Sequence, residues 1–368
     1  MKWIWQLNDW PEFKYDDSLL RSSEEQLLGR NGELRGVFKH LSEKDRNHFQ
    51  IQLYSEEALK TSAIEGEILD RESVQSSLRK QFGLQPTSKR KIPAAENGIA
   101  RVQVEIFRNF SRPLNDSLLH RLHEALLGHR ADLPSIGQYR TDKESMQIVS
   151  GPIHQPTIHY EAPPSSRVRT EMKSFIRQYR KNKDTLGPIA HSALAHLHFL
   201  AIHPFADGNG RLARALSEKA LAEKFGRPTY LALAQVIEEN KKAYYSALHE
   251  TNHALRIDPW LEYFARTLLA AQEKSLRIVE FLITKKKYFE HFSGQLNPRQ
   301  SKVIGKLFDS GPDGFTGGLS AANYLSITNC TRPTSTRDLA ALARIGALNK
   351  TGSLRYARYS LNLNLPAL

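Results

Sequence analysis

The sequence contains a single cysteine, Cys330, among its 368 residues. One cysteine excludes intrachain disulfide bonds and any zinc site built from a cysteine cluster, so the packing of helices and sheets has to stabilise the fold. No hydrophobic run approaches the roughly 18–20 residues that a membrane-spanning helix needs. The first residues, Met1 to Gln6, lack the hydrophobic region and cleavage site of a signal peptide. We therefore expect a cytoplasmic protein with no membrane partner.

The composition is that of a soluble globular protein, with 40% hydrophobic residues, 25% charged residues and a mean hydropathy of −0.49. At roughly 100–200 residues per domain, the length favours two or three domains. Basic residues outnumber acidic ones by 52 to 39, which gives a net charge of +13 and favours a polyanionic partner such as nucleic acid or phosphates. Residues 297–368 hold nine Lys or Arg against three Asp, so nearly half of the excess lies in one fifth of the chain.

Helical periodicity covers most of the chain and divides it into four predicted parts, 1–90, 91–275, 276–296 and 297–368. We interpret the first three parts as a small helical module, a helical core and a linker helix. The clearest predicted helices span residues 53–64, 99–110, 115–127, 189–201 and 209–225. A Pro- and Gly-rich stretch, residues 134–165, interrupts the core and predicts a loose β-hairpin there.

A polar, glycine-rich turn lies between two of these helices, at residues 203–214, with the sequence HPFADGNGRLAR. Gly208 and Gly210 let the backbone approach a ligand closely, and such a turn at the start of a helix directs free N–H groups and the positive dipole end at an anion. Arg211 and Arg214 are three residues apart, so they share a helix face and can both reach phosphate oxygens. The segment therefore predicts a polyphosphate site.

Two further side chains of this segment suit chemistry at a phosphate. Asp207 is a hard oxygen ligand of the kind that Mg²⁺ uses together with substrate phosphates. His203, at the end of the preceding helix, is a candidate general base because the ordinary pKa of histidine lies near working pH.

The whole segment matches the pattern His-x-Phe-x-Asp/Glu-Gly-Asn-Gly-Arg-x-x-Arg and resembles the signature of the Fic (Fic/Doc) family. The resemblance implies a helical core that transfers AMP from ATP to a Ser, Thr or Tyr hydroxyl of a target protein, with pyrophosphate leaving. By the same resemblance, His203 would deprotonate the target hydroxyl and Asp207 would hold Mg²⁺. ATP and a target protein are thus the expected partners.

The resemblance also implies roles for the other positions of the segment. Asn209 and the N–H groups around Gly208 and Gly210 would hold the α-phosphate, an oxyanion-hole role. Arg211 and Arg214 would bind the outer phosphates, and Phe205 would anchor the turn from below.

Outside the segment the resemblance is weaker. The hairpin at 145–160 is similar to a flap that docks the target backbone as an added strand. Asn240 and Tyr244 resemble a stretch that lines the base pocket, but Tyr244 and Tyr245 are equally typical of helix packing, which we favour for at least one of them. Three further histidines lack the spacing of a zinc site and are expected to be ordinary helix residues: His191, His196 and His198.

A second short pattern lies at residues 61–66 of the N-terminal module. Thr61 and Glu65 are four residues apart on one face of a helix end, and Gly66 suits the position after the helix. The string resembles the inhibitory pattern Ser/Thr-x-x-x-Glu-Gly/Asn of the same family. By that resemblance Glu65 would pair with Arg214, occupy the γ-phosphate space and hold ATP in an unproductive pose. In some relatives the equivalent Glu positions a water that removes AMP, and this alternative stays open.

The basic tail, residues 297–368, predicts helices at 298–308, 320–325 and 333–345 with a tight turn at 328–330, the pattern of a helix-turn-helix. A predicted strand at 354–363 would supply a hairpin wing, so the tail resembles a winged-helix domain. In that geometry the candidate DNA contacts are Arg332, Ser335, Thr336, Arg337, Arg355 and Arg358. Winged helices also mediate protein contacts, so a homodimer is the alternative use.

The sequence therefore predicts a mainly α fold: an N-terminal helical module with an inhibitory motif, a Fic-type core with a β-hairpin flap, and a C-terminal winged helix. Residues 3–29 resemble a domain of unknown function that precedes Fic cores. The expected function is Mg²⁺-dependent AMP transfer restrained by Glu65. The alternatives are AMP removal, phosphotransfer from ATP bound in reverse, and a nucleotide-sensing DNA-binding regulator, although sensing would need no base such as His203.

Overall fold

The computed structural model describes residues 2–86, 90–152, 156–311, 314–315 and 317–364 of the chain. Its described part divides into two compact units, Met1–Ser275 and Leu276–Leu368. The prediction of a mainly helical fold is confirmed, since the strands are short and few beside the helices.

The helices that begin in the first unit are α1 (Arg21–His40), α2 (Glu43–Ile64), α3 (Arg71–Gln81), α4 (Ala94–Asn109), α5 (Asp116–Leu127), α6 (Ser165–Thr185), α7 (Pro188–Ile202), α8 (Asn209–Phe225), α9 (Leu233–Glu239), α10 (Lys241–Thr251) and α11 (Asp258–His291). Between α5 and α6 two antiparallel strands, β1 (Gln147–Ser150) and β2 (Thr157–Glu161), form the hairpin that the sequence predicted. We call this hairpin the flap. Residues 153–155, in its predicted turn, lie outside the described residues.

The centre of the first unit is the helix pair α7 and α8, which is buried along nearly its whole length. Gly187 and Pro188 start α7, because proline is favoured in the first turn of a helix. Gly226, in a left-handed conformation (φ 65°), ends α8. One hydrophobic cluster packs this pair against α2, α4, α5 and α6, and a second packs it against α9, α10 and α11. The turn between α7 and α8 is therefore held on both sides by the core.

The second unit contains α12 (Pro298–Phe308), α13 (Ala321–Thr328), α14 (Arg332–Arg344), β3 (Leu348–Thr351) and β4 (Arg358–Leu361). The helices α13 and α14 flank a tight turn in which Asn329 is left-handed (φ 52°). The two strands pair antiparallel with Leu348 opposite Leu361.

The predicted strand at 354–363 begins too early, since β4 starts at Arg358. The prediction also did not include β3, the strand with which β4 pairs. Residues Leu354–Tyr356 form a 3-10 turn in the hairpin loop, with Leu354 at φ 48° and Gly352 at φ 68°. The first strand of the hairpin is Leu348–Thr351, directly after α14. The alternating pattern at residues 354–357 was therefore a turn, because positive φ values cannot continue an extended strand.

Among the described residues, no helix combines the length and the apolar character that a membrane span requires.

Candidate active site

The turn between α7 and α8 has a backbone that few residue types adopt. His203 follows α7 in the left-handed region (φ 51°, ψ 58°), and Gly208 precedes α8 at φ 79°. The side chain of Asn209 fixes the turn from inside, since its Oδ1 accepts from Phe205 N at 3.0 Å and its Nδ2 donates to Phe205 O at 2.8 Å. The predicted contact of Asn209 with phosphate stays a prediction, because this side chain is already engaged with Phe205.

Phe205 lies fully buried beneath the turn, where the sequence placed it. Its ring stacks on the His123 imidazole with centroids 4.1 Å apart and packs against Tyr139. His123 Nδ1 accepts from Gly137 N at 2.9 Å, so the proton sits on Nε2, which faces Asp207 O at 3.3 Å. Burial lowers the pKa of His123 to about 4, and the ring is therefore a neutral support of the turn.

His203 has the tautomer and charge of a base. Its Nδ1 lies 3.3 Å from Leu200 O and donates to it, which leaves Nε2 without a proton when the ring is neutral. Burial lowers the pKa of His203 to about 4, so the imidazole is neutral near pH 7. The ring can therefore accept a proton at Nε2.

Asp207 is the acidic residue of the turn, with 38% of its side chain accessible. Its Oδ1 accepts from Gly208 N at 2.5 Å, while Arg130 and Arg211 each lie 3.5 Å from the carboxylate. One accessible carboxylate beside a phosphate site fits Mg²⁺ bound jointly by protein and nucleotide. Within the described part of the chain no group of three or more His, Cys, Asp or Glu could hold a metal by itself, so phosphate oxygens would have to complete the coordination.

Arg214 is buried and engaged by the end of α2. Its Nη2 donates to Glu65 Oε1 at 2.7 Å, and its Nε donates to Thr61 Oγ1 at 2.6 Å. Burial alone would raise the pKa of Glu65, but the charge and hydrogen bond of Arg214, helped by Arg211 and His203, outweigh it and lower that pKa. The ion pair that the sequence predicted is therefore present, and Glu65 is ionised. Gly66, at φ 85°, turns the chain directly after it.

The carboxylate of Glu65 also lies against the start of α8. A Cβ placed on Gly210 would overlap Glu65 Oε1, so a larger residue at this position would displace the carboxylate. This is the position, over the first turn of a helix, where an anionic ligand is stabilised by free N–H groups and the helix dipole. A carboxylate of the chain thus occupies a position that suits an anion.

Arg211 has an acidic partner that the sequence analysis missed. Its Nη1 donates to Glu67 Oε2 at 2.6 Å, and only 6% of the arginine side chain is exposed. A possible signal was the second carboxylate two residues after Glu65, but nothing local in the sequence assigns its partner. Both motif arginines are thus paired with one loop, residues 65–67.

A cavity of about 600 Å³ opens beside the turn. Its walls include Glu65, His203 and Gly210 from the site, Tyr244 and Tyr245 from α10, Ile148, Val149, Ser150, His159 and Tyr160 from the flap, and Ile4 from the N-terminal segment. This size is ordinary for a small-molecule site. The predicted base, the glutamate of the predicted inhibitory motif and the flap all line this cavity.

Tyr244 and Tyr245 differ in their surroundings. Tyr244 is buried and its hydroxyl lies 2.9 Å from His196 Nε2, whereas Tyr245 is 43% exposed. Tyr244 therefore both packs in the core and lines the cavity. Asn240 donates from Nδ2 to Val236 O at 3.3 Å, at the junction of α9 and α10, and is not among the cavity-lining residues.

The other predicted histidines are buried in α7. His196 also contacts Ser217 Oγ at 3.0 Å, His191 lies 3.7 Å from Glu223, and burial lowers the pKa of His198 to about 3. They stabilise packing within the helix pair.

In the second unit, Arg332, Thr336 and Arg337 are exposed on α14, and Arg355 and Arg358 are carried by the hairpin. The prediction that Ser335 contacts DNA is wrong, because its side chain is fully buried and its Oγ donates to Arg332 O at 2.9 Å.

Comparison with known proteins agrees with this geometry. Residues 113–221 match the Fic/DOC family, and residues 3–84 match a domain of unknown function, DUF4172. The chain therefore carries a Fic/DOC family domain preceded by a DUF4172 helical region, which confirms the family resemblance of residues 203–214.

Curated relatives are named as enzymes. The protein adenylyltransferase Fic of Nematostella vectensis is 31% identical over 147 residues, which cover 39% of this chain and 30% of that protein. The protein adenylyltransferase fic-1 of Caenorhabditis elegans is 28% identical over 123 residues, 33% of this chain and 23% of that protein. A probable protein adenylyltransferase of Aquifex aeolicus is 34% identical over 89 residues, 24% of this chain and 26% of that protein. The matches thus span less than a third of the length of these relatives.

Solved structures support the fold. A Fic family protein from Desulfovibrio desulfuricans G20 superposes with a TM-score of 0.56 at 20% identity, covering 95% of this chain and 98% of that one. A Fic domain containing signaling protein from Bacteroides thetaiotaomicron gives 0.53 at 21% identity, covering 70% of this chain and 97% of that one. At such identities the likeness concerns the fold alone.

Proposed function

We propose that the first unit is a protein adenylyltransferase that Glu65 holds in an inhibited state. The observation that carries this proposal is the position of the Glu65 carboxylate, which pairs with Arg214 and lies against Gly210. The curated relatives named as protein adenylyltransferases support the type of reaction.

In the proposed reaction the oxygen of a target hydroxyl attacks the α-phosphorus of ATP. The hydroxyl proton passes to Nε2 of His203, the bond from the α-phosphorus to the bridging oxygen breaks, and pyrophosphate leaves with that oxygen. Backbone N–H groups at the start of α8 would stabilise the charge that develops on the α-phosphate. Arg211 and Arg214 would hold the outer phosphates after release from Glu67 and Glu65.

Mg²⁺, when bound at Asp207, would neutralise phosphate charge during the transfer. The arginines that flank this carboxylate at 3.5 Å are loose enough partners to yield to a cation.

The proposed inhibition follows because the Glu65 carboxylate and a phosphate would compete for the same arginine, Arg214. An arginine that donates to an internal carboxylate cannot also clamp a phosphate, and the carboxylate repels the incoming anion. The apolar edge of the flap, with Ile148 and Val149 exposed, would accept the target backbone as an added strand.

The test is self-labelling and target labelling with ATP that carries the label on the α-phosphate. We expect Glu65→Gly to label at least tenfold faster than the unmodified chain, and Glu65→Gly with His203→Ala to label no protein. Glu56→Gln, in the same helix but paired with surface Arg71, is the matched control and should leave labelling unchanged. Absence of any gain in Glu65→Gly would contradict the inhibition.

The same variants separate the alternatives. Label transferred from the γ-phosphate would indicate phosphotransfer, and loss of AMP from a pre-labelled target that depends on Glu65 would indicate AMP removal. A chain that labels nothing even after Glu65→Gly would favour a nucleotide sensor.

We propose DNA binding as a second function, for the C-terminal unit. Nine basic residues against three Asp in residues 297–368, with Arg332 and Arg337 exposed on α14, favour this partner. A winged-helix arrangement would place α14 in the major groove and the β3–β4 loop near phosphates. No binding of duplex DNA by the full chain at low salt would exclude it and leave a protein contact, such as a homodimer, as the use of this unit.

A further inference from the structure

Arg140 is a buried arginine outside every motif of the sequence analysis. It lies between α5 and β1, with 2% of its surface exposed. Its backbone N–H donates to Pro204 O at 2.9 Å, and its Nε donates to His203 O at 2.8 Å. Its Nη2 donates to Pro163 O and lies 3.5 Å from Ile202 O. Arg140 therefore contacts the backbone carbonyls of the proposed base and of the residues on both sides of it.

These contacts satisfy backbone carbonyls at the C-terminal end of α7. The last carbonyls of a helix have no partner within the helix, and the residue that follows is commonly a glycine in the left-handed region. Here that residue is His203, for which the left-handed conformation costs about 1–2 kcal/mol. The guanidinium of Arg140 supplies donors to the carbonyls of Ile202 and His203 and so stabilises the turn in this conformation.

The same guanidinium joins the turn to the flap. Pro163 lies two residues beyond β2, and Tyr160 on that strand donates from its hydroxyl to Ala201 O at 2.6 Å. The end of α7 and the base of the flap are therefore held at one point.

We propose that Arg140 is a positioning residue of the transfer reaction, which holds the backbone of His203 so that the imidazole faces the cavity. This inference rests on the proposed function for the identity of the reaction. Arg140 itself does not line the cavity, so it would act through His203 rather than on the nucleotide.

The charge of Arg140 adds a second readout. Burial lowers the pKa of His203 most, and the positive charge of Arg140 lowers it further. The hydrogen bond to Leu200 O and the carboxylates of Glu65 and Asp207 raise it. Removal of the positive charge of Arg140 would remove one of the two effects that lower this pKa, so the pKa of His203 would rise.

The experiment compares Arg140→Lys and Arg140→Gln in the Glu65→Gly background. Arg180→Gln is the control for loss of a guanidinium that binds a backbone carbonyl, because Arg180 donates two hydrogen bonds to Leu114 O at an exposed position away from the cavity. We expect both Arg140 variants to lower kcat for AMP transfer at least a hundredfold with KM for ATP within threefold. Only Arg140→Gln should move the acid limb of the pH profile to higher pH, because lysine keeps the positive charge.

A rise in KM for ATP with kcat unchanged would overturn the proposal. A loss of kcat no larger than that of Arg180→Gln would also overturn it. Failure of both Arg140 variants to fold, with a folded control, would assign Arg140 to stability and overturn it too. If Glu65→Gly shows no transfer, the proposed function is contradicted, and this result does not bear on the role of Arg140. The His203 imidazole titration, followed by NMR against a His203→Ala reference, then tests the contact of Arg140 with His203 without any transfer. An upward shift in Arg140→Gln that is absent in Arg140→Lys and Arg180→Gln supports it, and an unchanged titration in Arg140→Gln contradicts it.

Discussion

Glu67 Oε2 accepts a hydrogen bond from Arg211 Nη1 at 2.6 Å, across 144 residues of chain. Together with the Glu65–Arg214 pair, it commits both arginines of the turn to one short loop after α2. The consequences of this arrangement can be measured.

We expect Glu67→Gln to raise nucleotide affinity and labelling by roughly fivefold, because an ion pair of this partial exposure is worth about 1 kcal/mol. The double variant Glu65→Gly, Glu67→Gln should exceed either single variant, since it releases both arginines. ATP binding by calorimetry and labelling rates check this. A double variant no better than Glu65→Gly would mean that Arg211 is available to phosphate while still bound to Glu67.

Asp207→Asn should raise the Mg²⁺ concentration needed for half-maximal labelling in the Glu65→Gly background, because a neutral amide is a poorer ligand than a carboxylate. Chelation with EDTA should abolish labelling and added Mg²⁺ should restore it. Labelling that is insensitive to EDTA would contradict the assignment of Asp207 to a metal.

Phe205→Ala should lower the free energy of unfolding by about 3–5 kcal/mol, the cost of emptying a packed aromatic site. The ring lies between His123 and Tyr139, so its removal leaves a cavity directly beneath the turn. Chemical denaturation measures the loss. A loss under about 1 kcal/mol would show that the turn does not depend on this anchor.

The paired carboxyl groups of Glu57 and Glu218 predict a dependence of stability on pH. They face each other, fully buried, between α2 and α8, and Glu57 Oε1 has no donor in the described structure. Burial raises the pKa of both carboxyl groups, that of Glu218 from 4.5 to about 8, so the folded pair holds a proton that the unfolded chain releases. Stability should therefore fall as pH rises from about 4.5 to 8, with a slope of up to about 1.4 kcal/mol per pH unit.

Glu218→Gln should flatten this fall, because the amide offers Glu57 a permanent N–H donor. Denaturation midpoints at several pH values between 5 and 8 check it, with Glu56→Gln as the control from the same helix. Parallel pH profiles for Glu218→Gln and the unmodified chain would refute the shared proton.

DNA binding by the C-terminal unit should weaken with salt, and Arg337→Ala should reduce the slope of log K against log salt by about 1 for each lost phosphate contact. Arg299→Ala is a control of equal charge, since Arg299 is engaged with Asp338 at 3.0 Å. Equal slopes for both variants would place Arg337 away from phosphates.

Much of the site was predictable because its residues are neighbours in the chain. The turn at 203–214 carries its glycines, base and arginines within one helix junction, and the pattern at 61–66 carries its glutamate at a helix end. Helix positions followed from periodicity: α5, predicted at 115–127, spans Asp116–Leu127. The error at residues 354–357 arose where an alternating pattern belonged to a turn with positive φ.

The sequence by itself determined which residues the turn carries, the helices that frame it and the basic tail, because these follow from composition and from spacing within one or two helical turns. The tertiary structure alone decided which charges meet: Glu67 with Arg211, Arg140 with His203 across 63 residues, and Glu57 with Glu218. It also decided that Ser335 is buried. Local patterns carry no information on such partners, because a contact between distant residues depends on how the helices pack.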